Sequence, residues 1–418
     1  MLSVEEALEK ILAVARQGTT ERVHLRDAAG MTLAEDVSSD VDSPPHDKTL
    51  VDGYAVQSAD FATRVVQEPG HRVELEVVEE ITAGAVPTSR VTSGRAASIM
   101  TGAPIPEGAD AVVMCEETEA IAEPGLPHGA VLFHNHQVRP GQNIMNRAAS
   151  MRRGQVVLGS NTLLRPIEIG LLAEVGREHV VVHSRPSVAV MPTGNELVEP
   201  GIEPGPGRIR NSNGPMLAAC VRRAGAAVVD LGIGRDDRGQ LEQLARRGLE
   251  YDVLLICGGV SAGVLDLVPE VLTAIGVEQV FHKINMRPGK PLWFGLAPRA
   301  GASDRETLVF GLPGNPVSSF VCFELFVARA IAKLVGRSES QSPRLRAALG
   351  QPHQHRGPRP TYHPALVRWL DGAAIVEPLA WRGSSDLRSL TDANALVIFP
   401  GEDRQYDAGD LVDCELLR

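Results

Sequence analysis

Four short stretches of this sequence combine glycine, small hydroxyls and carboxylates in a pattern suited to a charged, flat ligand. They are Pro192-Thr193-Gly194-Asn195-Glu196, Gly234-Arg235-Asp236-Asp237, Gly258-Gly259-Val260-Ser261-Ala262-Gly263 with Asp266 just beyond, and Gly311-Leu312-Pro313-Gly314-Asn315-Pro316. Glycine lets bare backbone N–H groups approach an anion or a heterocycle, and a following helix N-terminus adds about half a positive charge. Carboxylates beside a phosphate site make sense chiefly with a hard divalent cation between them. Each stretch alone reads as a turn or a helix cap; four together point to a site. A further stretch runs Lys283-Ile284-Asn285-Met286-Arg287-Pro288-Gly289-Lys290-Pro291 and carries three cations in a chain of net charge −11. It reads as an oxyanion or phosphate cradle.

The elements that must carry these stretches follow from the apolar runs before them: Ser187–Met191, Ala226–Leu231, Val253–Cys257 and Thr307–Phe310. These runs alternate with helical patterns, which implies parallel strands joined by right-handed helical crossovers in an α/β layer fold. Ligands bind beyond the carboxyl ends of such strands. One crossover helix is expected to start with Asn213 as N-cap, to hold Pro215 in its first turn and to end before Gly225. Near the start, Ser3 and Glu6 form a capping box for a helix with Val4, Leu8, Ile11, Leu12 and Ala15 on one face, ended by Gly18. Asp40 to His46 is a linker signature. Residues 50 to 138 are short Val/Ile-rich runs broken by Gly and Pro, such as Arg72–Val78 and Ala109–Met114, and predict a small β-rich domain. Past residue 336, Pro-rich breaks and short strands predict a C-terminal β domain.

Composition narrows the function classes. The chain has 418 residues, enough for about three domains, and the acidic balance disfavours a general nucleic-acid or anionic-membrane binder. No apolar run approaches the ~18 residues of a membrane span, and Glu5 and Glu6 argue against a secretory signal. Cys115, Cys220, Cys257, Cys322 and Cys414 are dispersed and flanked by apolar residues, which predicts buried, reduced thiols rather than disulfides or a zinc site. A soluble intracellular, cytoplasmic protein is expected. Dinucleotide and Walker fingerprints are absent. The pairs His134/His136 and His353/His355 read as surface histidines. No Ser/His/Asp or Cys/His arrangement is legible, which disfavours covalent catalysis.

Taken together, several motifs resemble the molybdopterin molybdenumtransferase family. They are Asp-Gly-Tyr-Ala at 52–55, Thr-Gly-Ala-Pro-Ile-Pro-Glu-Gly-Ala-Asp at 101–110, Pro-Thr-Gly-Asn-Glu-Leu at 192–197 and Ser-Asn-Gly-Pro-Met-Leu at 212–217. Gly-Gly-Val-Ser-Ala-Gly at 258–263, Arg-Pro-Gly-Lys-Pro at 287–291 and Gly-Leu-Pro-Gly-Asn-Pro-Val-Ser at 311–318 continue the series in family order. The C-terminal region carries least of it, mainly Leu-Thr-Asp-Ala-Asn-Ala-Leu at 390–396.

The resemblance implies a multidomain α/β plus β protein. Its parts would be an elongated mixed domain from 1–42 and 139–180 that serves dimerisation, a β-rich insertion at 43–138, a three-layer molybdopterin-binding α/β domain at 181–335, and a C-terminal β-barrel at 336–418. It implies a homodimer with the active cleft between subunits, and a Mg²⁺-dependent reaction of adenylyl-molybdopterin with molybdate to give molybdenum cofactor and AMP. Carried onto this chain, Asp52 and Thr101 would face the site from the partner subunit, and Glu196, Asp236 and Asp266 would serve the metal and substrate. Gly258, Gly259 and Ser261 would meet the substrate; Lys283, Arg287 and Lys290 would hold molybdate or phosphate; Pro313 and Pro316 would shape the pocket. Arg287 stands where a lysine is common in the family, and its fixed fork still suits an oxyanion. A molybdopterin adenylyltransferase and molybdoenzymes are the implied partners. The alternatives are that adenylyltransferase activity itself, or a non-catalytic molybdopterin-binding or scaffold protein.

Overall fold

A strand of five apolar residues without polar alternation has to be covered on both sides, and Val253–Cys257 is buried at every position. It lies inside a six-stranded sheet. The computed structural model describes residues 1–61, 72–134, 137–260, 267–299, 305–337 and 344–417. Its sheet strands are β1 (Ser187–Pro192), β2 (Ala227–Asp230), β3 (Val253–Cys257), β4 (Glu278–His282), β5 (Trp293–Pro298) and β6 (Glu306–Leu312), in the order β2-β1-β3-β6-β5-β4. The first four of that order are parallel. β5 runs against β6, and β4 runs against β5. This antiparallel edge departs from the all-parallel expectation. Glu278 and Gln279 dilute the apolar run of β4, and Gly295 interrupts β5, so neither segment stands out as a strand.

The helices of this layer are α1 (Val4–Val14), α2 (Asn213–Arg223), α3 (Arg238–Gly248), α4 (Val268–Ala274) and α5 (Pro316–Cys322). Side chains alternate across a strand, so β1 and β3 serve two cores at once. Val188, Val190, Val253 and Leu255 pack with Ile11 of α1, Leu217 of α2 and Val317 of α5. Ala189, Met191, Leu254 and Ile256 pack with Leu241 of α3 and Val271 of α4. Each buried Val, Leu or Ile side chain contributes about 1.5–3 kcal/mol. α1 begins with the expected reciprocal cap, Ser3 Oγ accepting from Glu6 N–H while Glu6 accepts from Ser3 N–H. α2 begins one residue earlier than expected, with Ser212 at the N-cap. The Asn213 side chain points elsewhere, to Gly314 and Cys257.

Beyond α5 the chain forms a closed barrel of β7 (Arg344–Leu349), β8 (Thr361–Leu370), β9 (Ala373–Pro378), β10 (Ala395–Phe399) and β11 (Leu411–Leu416), in the order β7-β9-β8-β10-β11. Closure removes exposed strand edges. His353 and His355 are not surface histidines. Two residues apart on a strand, they share one face, and both rings stack on Phe399 of β10, at 4.3 and 5.7 Å.

The α/β layer and the barrel belong to one compact unit built from Met1–Glu35, Ser160–Ile169 and His179–Arg418; a second unit comprises Asp36–Gly159 and Gly170–Glu178. The second unit contains a six-stranded sheet in the order Ala111–Met114, Gly53–Val56, Arg95–Ile99, Val73–Ile81, Ala130–Phe133 and Thr118–Ile121. Gly53 is required there, because a Cβ would be driven into the Val113 carbonyl. All five cysteines are free, and four are buried; Cys115 is exposed, contrary to expectation, since Glu116 and Glu117 follow it on a short 3₁₀ turn. Among the described residues no helix is long and apolar enough to cross a membrane.

Candidate functional site

The carboxyl ends of β1, β3 and β6 enclose a cavity of about 280 Å³. Its wall includes Thr193, Gly194 and Glu196 after β1, Asp236 after β2, Gly258 and Gly259 after β3, and Gly314 and Pro316 after β6. Four separate loops therefore meet at one place. Backbone hydrogen bonds between them set the geometry: Thr193 N–H donates to Cys257 O at 2.8 Å, Gly194 N–H to Gly234 O at 3.0 Å, and Gly258 N–H to Leu312 O at 3.0 Å. Close approach makes glycine necessary at 258, where φ is +108° and a Cβ would meet the Thr193 carbonyl.

Asp236 is held against the first loop by a reciprocal pair. Its carboxylate accepts from Asn195 N–H at 3.1 Å, and its own N–H donates to Asn195 Oδ1 at 3.2 Å. This sets Asp236 beside Glu196, whose carboxylate folds over Gly194. Arg235 braces the same loop by donating to the carbonyls of Gly194 and Leu197. Asp237 turns away and caps α3 through Gln240 N–H at 2.8 Å. Two carboxylates on one wall are hard oxygen donors, which fits Mg²⁺; that ion commonly takes one or two carboxylates and fills its remaining positions with water and phosphate. Asp266 and Ser261 lie outside the described residues. Among the described residues no group of three His, Cys, Asp or Glu is placed to hold a metal.

The cationic stretch sits at the same sheet edge but outside the cavity wall. It joins the end of β4 to the start of β5, and the pairing Trp293↔Gly311 sets it level with the loop after β6. His282 ties it to the loop after β3 through the Val260 carbonyl at 3.1 Å. Lys283 adopts φ +70°, and Lys290 is exposed. Arg287 turns to the barrel: its backbone pairs with Pro360 and Tyr362, and its guanidinium lies 5.8 Å over the Trp381 ring. Pro313 is buried, with its carbonyl accepting from Ser319, while Pro316 opens α5 at the cavity.

Asp52 and Thr101 meet each other in the second unit. The Asp52 carboxylate accepts from Thr101 N–H at 2.6 Å and from its hydroxyl at 2.8 Å. These two bonds hold the Asp52 carboxyl below its ordinary value.

Sequence reasoning gave no place in the site to part of the wall: Ile209, Arg210, Asn211, Ser212, Asn213, expected only as a helix cap, and Cys257. The first five precede or open α2, and a polar run entering a helix was the available signal. Cys257 reads as one more apolar strand residue.

Comparison with known proteins covers nearly the whole chain. Residues 2–176 match the family model "MoeA N-terminal region (domain I and II)", 189–333 the "Probable molybdopterin binding domain", and 346–417 the "MoeA C-terminal region (domain IV)". A protein named molybdopterin molybdenumtransferase from Bacillus subtilis is 35% identical over 100% of this chain and 94% of its own length. One of the same name from Staphylococcus aureus is 33% identical over 99% and 94%. A solved structure of the molybdopterin biosynthesis moeA protein from Pyrococcus horikoshii OT3 superposes with a TM-score of 0.75 at 30% identity, covering 100% of both chains.

Proposed function

The chain belongs to the molybdopterin molybdenumtransferase family, and from that premise we propose that its cavity takes adenylyl-molybdopterin, which reacts with molybdate to give molybdenum cofactor and AMP. It is a transferase of molybdenum-cofactor synthesis that inserts molybdenum into molybdopterin. The observation that carries the detailed reading is the meeting of four loops around one cavity, with Glu196 and Asp236 on its wall beside the bare backbone of Gly258 and Gly259. Matches on both flanks of the molybdopterin-binding region support this step over the adenylyl transfer that precedes it.

In this reading Glu196 and Asp236, with Asp266, would hold Mg²⁺, which when bound would supply positive charge to offset that of the substrate's phosphates. The Gly259 N–H and the Ser261 hydroxyl would be donors to the substrate, Gly258 lets the backbone come close to it, and Pro313 and Pro316 keep the loop after β6 rigid beneath it. Lys283, Arg287 and Lys290 form the receiving surface for molybdate, a tetrahedral dianion that needs cations in a site also containing acids. Asp52 and Thr101 complete the cleft from the partner subunit of a homodimer; Asp52, ionised and oriented by Thr101, acts as an acceptor there. The elongated domain is 1–42 with 139–180, the β-rich insertion 43–138, the α/β domain 181–335 and the barrel domain 336–418. We place the reaction in the cytoplasm.

The test is incubation of the purified protein with adenylyl-molybdopterin, Mg²⁺ and molybdate while AMP release is followed. AMP should appear only with both ions present. No AMP above the protein-free control rejects the reading.

A further inference from the structure

Three polar side chains that this mechanism does not use meet at the cavity wall, Asn213 and Cys257 on it and Ser319 outside the lining. Asn213, at the start of α2, donates through Nδ2 to the Gly314 carbonyl at 2.7 Å and to Cys257 Sγ at 3.1 Å. Cys257, at the end of β3, lies 3.1 Å from Ser319 Oγ and 3.3 Å from Pro313 O. The Ser319 hydroxyl donates to the same Pro313 carbonyl. Carbonyl oxygens only accept, so the Asn213 amide must present its NH₂ to Gly314, and the Ser319 hydroxyl must point at Pro313. The sulfur then accepts from Asn213, and its own hydrogen is left for Ser319 Oγ or Pro313 O. The chain of bonds thus ends on two consecutive carbonyls, Pro313 and Gly314. Cys257 and Ser319 are buried, and burial pushes the Cys257 thiol up to about 11, so it stays a neutral donor at physiological pH.

We propose that Asn213, Cys257 and Ser319 are positioning residues that clamp the Pro313–Gly314 peptide, so that the loop after β6 meets molybdopterin in one fixed conformation. The inference rests on the reading that the cavity takes this substrate. Pro313 has no N–H of its own and Gly314 no side chain, so the two carbonyls are principal anchor points of this peptide. A loop fixed before binding spares the ordering cost at the moment of binding, which appears as tighter affinity rather than faster chemistry.

The test compares the full chain with N213D, C257A and C257S, measuring the Kd for molybdopterin, KM and kcat for molybdenum insertion, and Tm. N213D places a carboxylate against the Gly314 carbonyl, and C257A removes the sulfur link. Each should raise Kd and KM by about three- to tenfold, with kcat changed less than about twofold. C257S keeps a donor and an acceptor and should recover most of the loss that C257A causes. Kd values for N213D and C257A within about twofold of wild type, or a C257S as weak as C257A, overturn the proposal. A second measurement is independent of substrate: iodoacetamide labelling of the Cys257 peptide, followed by mass spectrometry, should be faster in N213D. An unchanged labelling rate overturns the clamp, whereas a wild-type chain that binds no molybdopterin instead removes the functional reading.

Discussion

At the scale of single residues, the site separates into groups that bear charge and groups that hold them still. Glu196 and Asp236 are the exposed acids of the cavity wall, and Asp236 is fixed by its exchange with Asn195. E196Q and D236N should each raise the Mg²⁺ concentration needed for half-maximal insertion by about tenfold or more, with Tm unchanged; a Mg²⁺ titration superimposable on wild type would count against the ligand assignment. T101V leaves Asp52 one donor of two. Its carboxyl should therefore titrate closer to the ordinary value in a carbon-13 NMR titration, and an unmoved midpoint would mean the Thr101 hydroxyl does not hold it. Glu196 and Asp236 were legible in the sequence because each lies in the polar loop that follows an apolar run. Asn213 and Cys257 were not: one resembles a helix cap and the other a core residue, and only the fold brings them together.

At the scale of elements, the strands with unbroken apolar runs were legible to within a residue or two, as Val253–Cys257 shows. The antiparallel edge and the inward-facing histidines were not, because pairing direction and facing depend on distant partners. The cap of α1 was fully local, and S3A should cost about 1 kcal/mol in a urea titration. G53A should destabilise the sheet of the second unit, seen as selective loss of amide protection across Gly53–Val56 and Ala111–Met114. The barrel has a pH dependence of definite sign. Burial drives the His363 imidazole down to about 4, with His353, His355 and Arg287 adding to the effect. Because the unfolded chain binds that proton more readily, stability is full above about pH 6.5 and falls as pH drops towards 4, by up to about 3 kcal/mol. H363F should flatten this slope between pH 7.5 and 5; an identical slope in the variant would place the dependence elsewhere.

At the scale of the whole molecule, the fold class was legible because each region has its own rhythm: alternating strand and helix in the centre, short strands on either side. The chain divides discontinuously: Met1–Glu35 belongs to the same unit as His179–Arg418 although a second unit intervenes. Thiol accessibility gives a global check. Native protein should react at Cys115 alone with Ellman's reagent at pH 8, and denatured protein at all five cysteines. More than one fast native thiol would contradict the packing. The split unit also has a bearing on biogenesis. Ile11 shares a core with Phe326 and Ile331, so a nascent chain leaving the ribosome holds its first helix without its packing partners until most of the message has been read. The intervening unit can complete its own sheet in the meantime, and until that late stage the apolar face of the helix waits for the core that will cover it.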